Sequence, residues 1–364
     1  MSGRADRRAR VVEELVRRDV AALIVTHLPS IRYLTGFVGS NGTLVVSPAS
    51  TTLLTDARYG VAAREAVDAG TRVVITALDA TPRLVEVVSE ATPDGAVVAV
   101  EADHITLARA DGLRTRLADA GARTLSAQTG IVEDVRAVKD EGEARLLRES
   151  AAIADAALAR VLERGLVGRT ERDVAWDIVT ALRHEGAEAP SFDCIVAAGA
   201  NGARPHAVPS GDVIPDDTLV VIDMGAIHGG YCSDMTRTVP VGDPPAALRE
   251  IYSVCLRAQR AAVAAVRPGV ACGELDAVAR DIITEAGFGD QFGHGLGHGV
   301  GIEIHEAPRL GRNVRGEVRA GMAVTIEPGI YLEGIGGVRI EDLVLVTDDG
   351  AEVISRTPIA ELDT

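Results

Sequence analysis

The sequence predicts an α/β N-terminal domain followed by an α+β domain with an internal pseudo-two-fold repeat. Three observations carry this expectation. The chain has 364 residues, more than a single hydrophobic core usually organises, so two domains are expected. Its first third alternates short β-rich runs with helical patterns. Beyond Val138 the pattern changes to long amphipathic helices and two glycine-centred hairpins, each carrying two acids.

In the N-terminal part the expected elements follow in order. A helix over about residues 6–18 precedes the runs VAALIVT, TLVVS and TLLTD; a helical pattern after Asp56 leads to TRVVIT, and helices near 81–90 and 105–119 flank AVVAV before a last short strand. Strands alternating with helices of this length indicate an α/β sheet. The segment IRYLTGFVGSNG interrupts the regularity and reads as a turn-rich connection or loop. The stretch KDEGEARLLRESAAIADAALARVLE then reads as a long helix with charged first turns. The domains are placed at 1–134 and 135–364.

The second domain carries a weak internal echo. VGRTERDVAWDI (167–178) aligns with VACGELDAVARD (270–281) at an offset of 103, sharing Val167/Val270, Glu171/Glu274 and Asp173/Asp276. Each copy follows an alanine-rich helix and precedes a hairpin with two acids: Asp223 and Glu327 are 104 apart, Asp234 and Glu341 are 107 apart. A duplicated helix-helix-hairpin unit would bring four carboxylates to one point.

Composition narrows the function. With 37 basic and 53 acidic residues the net charge is −16, which argues against nucleic acid or an anionic membrane as partner. The N-terminus lacks the apolar run of a signal peptide, and no stretch approaches the roughly 18 apolar residues of a spanning helix. A soluble cytoplasmic protein is the expectation. Cys194, Cys232, Cys255 and Cys272 form no CxxC pair and read as small buried hydrophobes.

The chemistry gathers in three segments. In LVVIDMGAIHGGYCSDMTRTV, Asp223 and Asp234 lie symmetrically about the glycine turn, so as cross-strand partners their Cβ atoms would be about 5 Å apart and able to hold cations. In AVTIEPGIYLEGIGGVRIEDLVLV, Glu327 and Glu341 are equidistant from Gly334, and Arg339 shares the face of Glu341. That guanidinium could orient a ligand carboxylate or grip substrate. FGHGLGHGVGIEIHEAP places His294, His298 and His305 among glycines, too many for a helix, and reads as a loop allowing close backbone approach. His298 and His305 are an odd number apart, so a bulge or bend is needed to bring them to one face.

The series D-x-G, GYCSDMTRT, GHGLGHGVGIEIHE, EPG and GVRIED resembles the pita-bread metallopeptidase family, which includes Xaa-Pro aminopeptidases, prolidases and methionine aminopeptidases. YLTGFVGSNG and TDARY resemble the extra N-terminal domain of the Xaa-Pro peptidases. The resemblance implies an α+β pita-bread catalytic domain. It implies two divalent metal ions, manganese foremost with cobalt, zinc or iron as alternatives: Asp223 on one, His298 and Glu327 on the other, Asp234 and Glu341 on both. Two such ions would lower the pKa of a shared, bridging water for attack on the scissile carbonyl. Glu327 would shuttle its proton, His206 and His305 would act in catalysis by hydrogen bonding to substrate or oxyanion, and His294 and Arg339 would bind substrate. His27, His104, His184 and His228 gain no such support and read as structural or solvated. The implied activity is an Xaa-Pro aminopeptidase acting on peptides with proline second, as a homodimer. Its alternatives are an Xaa-Pro dipeptidase (prolidase), and a metal-dependent small-molecule hydrolase or lyase on the same fold.

Overall fold

A computed structural model describes residues 3–77 and 79–362, which divide into two compact units between Arg136 and Ala137. The N-terminal unit contains α1 (Gly3–Arg17), β1 (Ala22–Val25), α2 (Leu28–Thr35), β2 (Thr43–Val46), β3 (Thr51–Asp56), α3 (Gly60–Ala66), β4 (Thr71–Thr76), α4 (Thr81–Ala91), β5 (Val97–Glu101), α5 (Leu107–Asp119), β6 (Thr124–Gln128) and α6 (Ile131–Ala137). Its sheet has the order β4-β3-β2-β1-β5-β6, with β1/β5 and β5/β6 parallel and β1/β2 antiparallel. The central strand β1 is the apolar run ALIV, buried throughout, as expected of a strand covered on both faces.

One part of this unit departs from expectation. Most of IRYLTGF is helical, in α2, and only the following residues form the loop. Pro29 in its first turn and Gly36 at its end, φ 79° with its N–H on the Arg32 carbonyl, are the start and stop signals of a short helix.

The second unit opens on α7 (Glu141–Leu162), whose N-terminus is a capping box between Asp140 and Glu143. There follow α8 (Glu171–His184), β7 (Ala189–Pro190), β8 (Ile195–Ala198), β9 (Thr218–Met224), β10 (Ala226–His228), β11 (Tyr231–Cys232) and β12 (Met235–Val241). The second half repeats the plan with α9 (Ala246–Ala265), α10 (Cys272–Glu285), β13 (Gly297–Gly299), β14 (Glu306–Leu310), β15 (Ala323–Ile326), β16 (Gly329–Leu332), β17 (Gly336–Arg339), β18 (Asp342–Val346) and β19 (Ala351–Val353). Each half has its own core. Leu158, Val174, Ile178, Val220 and Ile222 pack α7 and α8 on the first sheet; Ile251, Leu275, Val324, Ile326 and Val344 pack α9 and α10 on the second. This is the pita-bread arrangement, an α+β duplication.

The duplication lies in a different register from the sequence echo. α8 and α10 start at Glu171 and Cys272, 101 apart, and the bridges Thr170–Val213 and Ala271–Glu317 enter them equivalently. At that offset the buried positions 171, 174 and 178 match 272, 275 and 279. An offset of 103 would pair buried Glu171 with exposed Glu274, so the shared letters there are not structural equivalents.

Among the described residues no helix is long and apolar enough to cross a membrane.

Candidate metal centre and active site

The first hairpin turns at Gly229-Gly230, both with positive φ, the backbone a two-residue type I′ turn requires. Its register pairs His228 with Tyr231 and Met224 with Met235, so Asp223 faces Thr236 rather than Asp234. Asp223 and Asp234 are therefore diagonal neighbours, not the direct partners expected from symmetry about the turn. The ladder also breaks between them. A Cβ on Gly225 would lie 1.9 Å from the Ser233 carbonyl oxygen, so the strands cross there more closely than any other residue permits.

The second hairpin keeps the expected symmetry. Ile326 pairs with Asp342 and Gly329 with Arg339, which sets Glu327 opposite Glu341 in the gap between the two ladders. There the Glu341 N–H donates to the Thr236 carbonyl of the first hairpin (3.1 Å) and the Glu327 N–H donates to the Leu296 carbonyl (2.8 Å). The Thr238 hydroxyl donates to the Arg339 carbonyl (2.8 Å). The Thr236 and Thr238 bonds tie the second strands of the two hairpins together, the Leu296 bond ties the second hairpin to the segment before β13, and four carboxylates come to one place.

His298 comes from β13, which is a strand rather than the expected loop. Cβ atoms on Gly297 and Gly299 would fall 2.0 Å from the Thr325 carbonyl oxygen and 2.2 Å from that of Ala307, so only glycines let GHG lie between β15 and β14. The pairing of β13 with β14 shifts between His298 and Gly299. This irregularity brings His305 to His298, with ring centroids 4.4 Å apart.

Asp234, His298 and Glu341 offer ligand atoms within 4.8 Å of one another. His298 Nε2 lies 3.5 Å from Asp234 Oδ2 and 3.4 Å from Glu327 Oε1. Its Nδ1 meets the Gly299 carbonyl oxygen at 3.0 Å and must donate there, which leaves Nε2 a bare lone pair facing two carboxylates. Burial, with His305 and Arg309 nearby, holds His298 down at about 4, so protonation does not relieve this contact at neutral pH. Asp223 Oδ1 is buried with no hydrogen-bond partner. Burial, with the charges of Glu341, Asp223 and Glu327, pushes the Asp234 carboxyl up; burial, with Glu327 and Asp223, does the same to Glu341. Burial raises Glu327 to about 7, with Arg339 opposing. Carboxylates converging out of water are neutralised by protons or by cations. One imidazole with carboxylate oxygens is a donor set that suits divalent manganese, cobalt, iron or zinc, and these residues fit such ions.

Arg339 is buried beneath the acids. It donates from Nη2 to Asp223 Oδ2 (2.6 Å), from Nε to the Thr236 hydroxyl (3.0 Å), and from Nη1 to the Pro205 carbonyl and the Tyr331 hydroxyl (both 3.0 Å). Although burial opposes its charge, Tyr331, Asp223, Glu327 and Glu341 hold it firmly protonated. The carboxylate it grips here is that of Asp223. The Tyr331 hydroxyl then donates to Nε2 of His294 (3.0 Å), whose Nδ1 donates to the Gly295 carbonyl (2.8 Å). Burial keeps this imidazole neutral, lowered to about 4.

Asp223, Asp234, His298, Glu327, Arg339 and Glu341 line one cavity of about 810 Å³ that also includes His206, His294, His305 and Arg309. His206 is exposed there, beside the Pro205 carbonyl that Arg339 grips. All the residues singled out from the sequence are thus gathered at one cavity. The sequence reading did not single out Thr236, Thr325, Tyr331 and Arg309. The Thr325 hydroxyl donates to Glu327 Oε1 (3.0 Å) and that of Thr236 to Glu341 Oε2 (2.7 Å). Thr236, Thr325 and Tyr331 each lie an even number of residues from an acid on the same segment, the one available signal that they share its face.

Residues 145–348 match the model of metallopeptidase family M24, and residues 7–138 match that of the creatinase/prolidase N-terminal domain. The chain is 46% identical over 227 residues to the Xaa-Pro dipeptidase of Pyrococcus furiosus, a match that covers 62% of this chain and 65% of that relative. It therefore spans slightly less than two thirds of the length of that relative. Its fold is similar to a solved Xaa-Pro dipeptidase from Bacillus anthracis, with TM-score 0.91, 37% identity and coverage of 98% and 99% of the two chains. It is also similar to an X-Pro aminopeptidase from Thermotoga maritima, with TM-score 0.86, 33% identity and coverage of 96% and 98%. Both segments match in this order over a duplicated fold whose acids and histidine converge, and the chain belongs to metallopeptidase family M24, the pita-bread family, with a creatinase/prolidase-like N-terminal domain.

Proposed function

We propose that this chain is a metal-dependent Xaa-Pro dipeptidase, the alternative to the aminopeptidase that the sequence reading favours. The observation that carries the choice is Arg309. It lines the cavity near His305 and His298, and no carboxylate among the described residues pairs with it. An unpaired guanidinium at a substrate cavity is suited to the free carboxylate of a dipeptide. The relatives from Pyrococcus furiosus and Bacillus anthracis named Xaa-Pro dipeptidase support the same choice.

In this reading Asp223, Asp234, His298, Glu327 and Glu341 would hold the two cations. When bound, the two ions, manganese foremost, supply a water of lowered pKa and polarise the scissile carbonyl. Glu327 takes the proton of the attacking water on its carboxylate and delivers it to the departing proline nitrogen. His206 and His305 donate to the carbonyl oxygen as negative charge gathers on it. Arg339 holds Asp223 in place, and His294, fixed through Tyr331, shapes the cavity wall. A bond to proline suits such a site, since its nitrogen carries no N–H for recognition by an extended-strand protease. A cytoplasmic homodimer belongs to the same reading, and its mass in solution checks the assembly.

The aminopeptidase remains a second reading because the cavity volume of about 810 Å³ is large for a dipeptide. Turnover of Ala-Pro and Ala-Pro-Ala by the manganese-loaded protein separates the two. The dipeptidase is expected to prefer Ala-Pro by about tenfold or more in kcat/KM, the value of one charged hydrogen bond. Equal or faster cleavage of the tripeptide overturns it.

A further inference from the structure

His27 and His104, read from sequence as structural or solvated, stand together at the carboxyl edge of the N-terminal sheet. His27 follows β1 and His104 follows β5, the parallel neighbour of β1. From β1 the chain continues to one side of the sheet, through β2, and from β5 to the other, through β6. The carboxyl ends of parallel strands at such a reversal are where open α/β sheets bind ligands.

The two imidazoles are stacked, with centroids 3.7 Å apart and planes within 5° of parallel. Glu133, from α6, sets Oε1 3.3 Å from His104 Nε2. One ligand atom from each of the three lies within 4.8 Å of the other two. Two atoms bound to a tetrahedral ion at about 2.0–2.1 Å stand roughly 3.3–3.4 Å apart, so the His104–Glu133 pair already has that spacing. The nearby groups reinforce the arrangement. His27 Nδ1 meets the Ser30 hydroxyl at 3.1 Å. Glu101 Oε2 accepts from the backbone N–H groups of Thr26 and His27 (2.7 and 2.9 Å), while its Oε1 is buried without a hydrogen-bond partner. Burial pushes the Glu101 carboxyl up, and Glu133 and His104 lie close enough for their charges to act on it.

We propose that His27, His104 and Glu133 form an additional metal site, a two-histidine, one-carboxylate seat for a zinc-class divalent cation, with Glu101 behind it. An imidazole binds through a lone pair in its own ring plane, so seating one ion turns the parallel rings about their Cβ–Cγ bonds until both lone pairs meet it. The three ligands leave a fourth position for water or a fourth donor, as in zinc sites of this ligand count. The site does not depend on the peptidase reading.

The test is zinc stoichiometry on the full-length chain, stripped with chelator, dialysed against Zn²⁺ and desalted. It uses wild type, His104→Gln, Glu133→Gln, Asp234→Asn and the Asp234→Asn/His104→Gln double variant. His104→Gln and Glu133→Gln are each expected to retain one zinc fewer per chain than wild type, with Ala-Pro turnover unchanged after manganese loading. Asp234→Asn is expected to lose zinc at the acidic centre yet keep the zinc that the double variant lacks. Far-UV circular dichroism identifies any variant that fails to fold, in which case the remaining single variant decides. Zinc content equal to wild type in the folded His104 and Glu133 variants overturns the site, whatever becomes of peptidase activity.

Discussion

Four guanidinium N–H groups of Arg339 are engaged by Thr236, Pro205, Tyr331 and Asp223, so its effect on chemistry should run through Asp223. A lysine has the charge but not the planar fork that serves these partners together. Arg339→Lys is therefore expected to lower kcat about 10–100-fold, the value of one or two charged hydrogen bonds, with KM for Ala-Pro held within about twofold. A raised KM with normal kcat in steady-state assays would move Arg339 to direct substrate contact. Arg309→Met should give the opposite split: KM for Ala-Pro up about 10–100-fold and Ala-Pro-Ala turnover nearly unchanged. Equal effects on the two peptides would remove Arg309 from carboxylate recognition. At this scale the acids and histidines were legible because charge in β-rich hairpins and histidine among glycines are conspicuous. Their hydroxyl partners were not, since Thr236 and Thr325 are also ordinary strand residues. Arg309 was not because nothing in the sequence says which arginine lacks a carboxylate.

The hairpins show what spacing can and cannot fix at the scale of elements. Symmetry about Gly334 gave the Glu327/Glu341 pair correctly because one register runs through both ladders. Symmetry about the first hairpin gave the wrong partner for Asp223 because the turn at Gly229-Gly230 centres the register one residue further on. Glycine-rich GHG was legible as a place of close approach but not as a strand, since its support comes from β14 and β15, which are remote in sequence. The two flanking glycines give the element its testable property. Gly299→Ala would set a Cβ against the Ala307 backbone, whereas Gly293→Ala meets no atom within 4 Å. The first substitution should displace His298, reduce retained manganese and cost about 1–3 kcal/mol in urea unfolding, the usual range for overpacking. Gly293→Ala is expected to leave both nearly unchanged. A Gly299→Ala chain with full metal content would show that β13 can shift without disturbing its ligand.

For the whole molecule, the acidic centre links folding to pH and to metal. Glu327 is raised from 4.5 to about 7 in the folded, metal-free chain, and Asp234 and Glu341 are raised with it. Below their ordinary values these carboxyls are protonated whether the chain is folded or not, so they contribute no pH dependence. As pH rises from about 4.5, the unfolded chain releases its protons first while the folded one retains them. The folded state is then progressively disfavoured until its own carboxyls ionise. From Glu327 alone the loss is on the order of 3 kcal/mol, complete somewhat above pH 7. Divalent cations bind the ionised form and only in the folded state, so they supply the missing countercharge and add stability by mass action. The metal-free protein is thus expected to melt at lower temperature at pH 8 than at pH 5.5, with manganese raising the midpoint more at the higher pH. Thermal unfolding across that range, with and without chelator, measures both trends. A manganese effect independent of pH would mean that the ions do not displace protons from these carboxylates, and would remove Asp234, Glu327 and Glu341 from the ligand set.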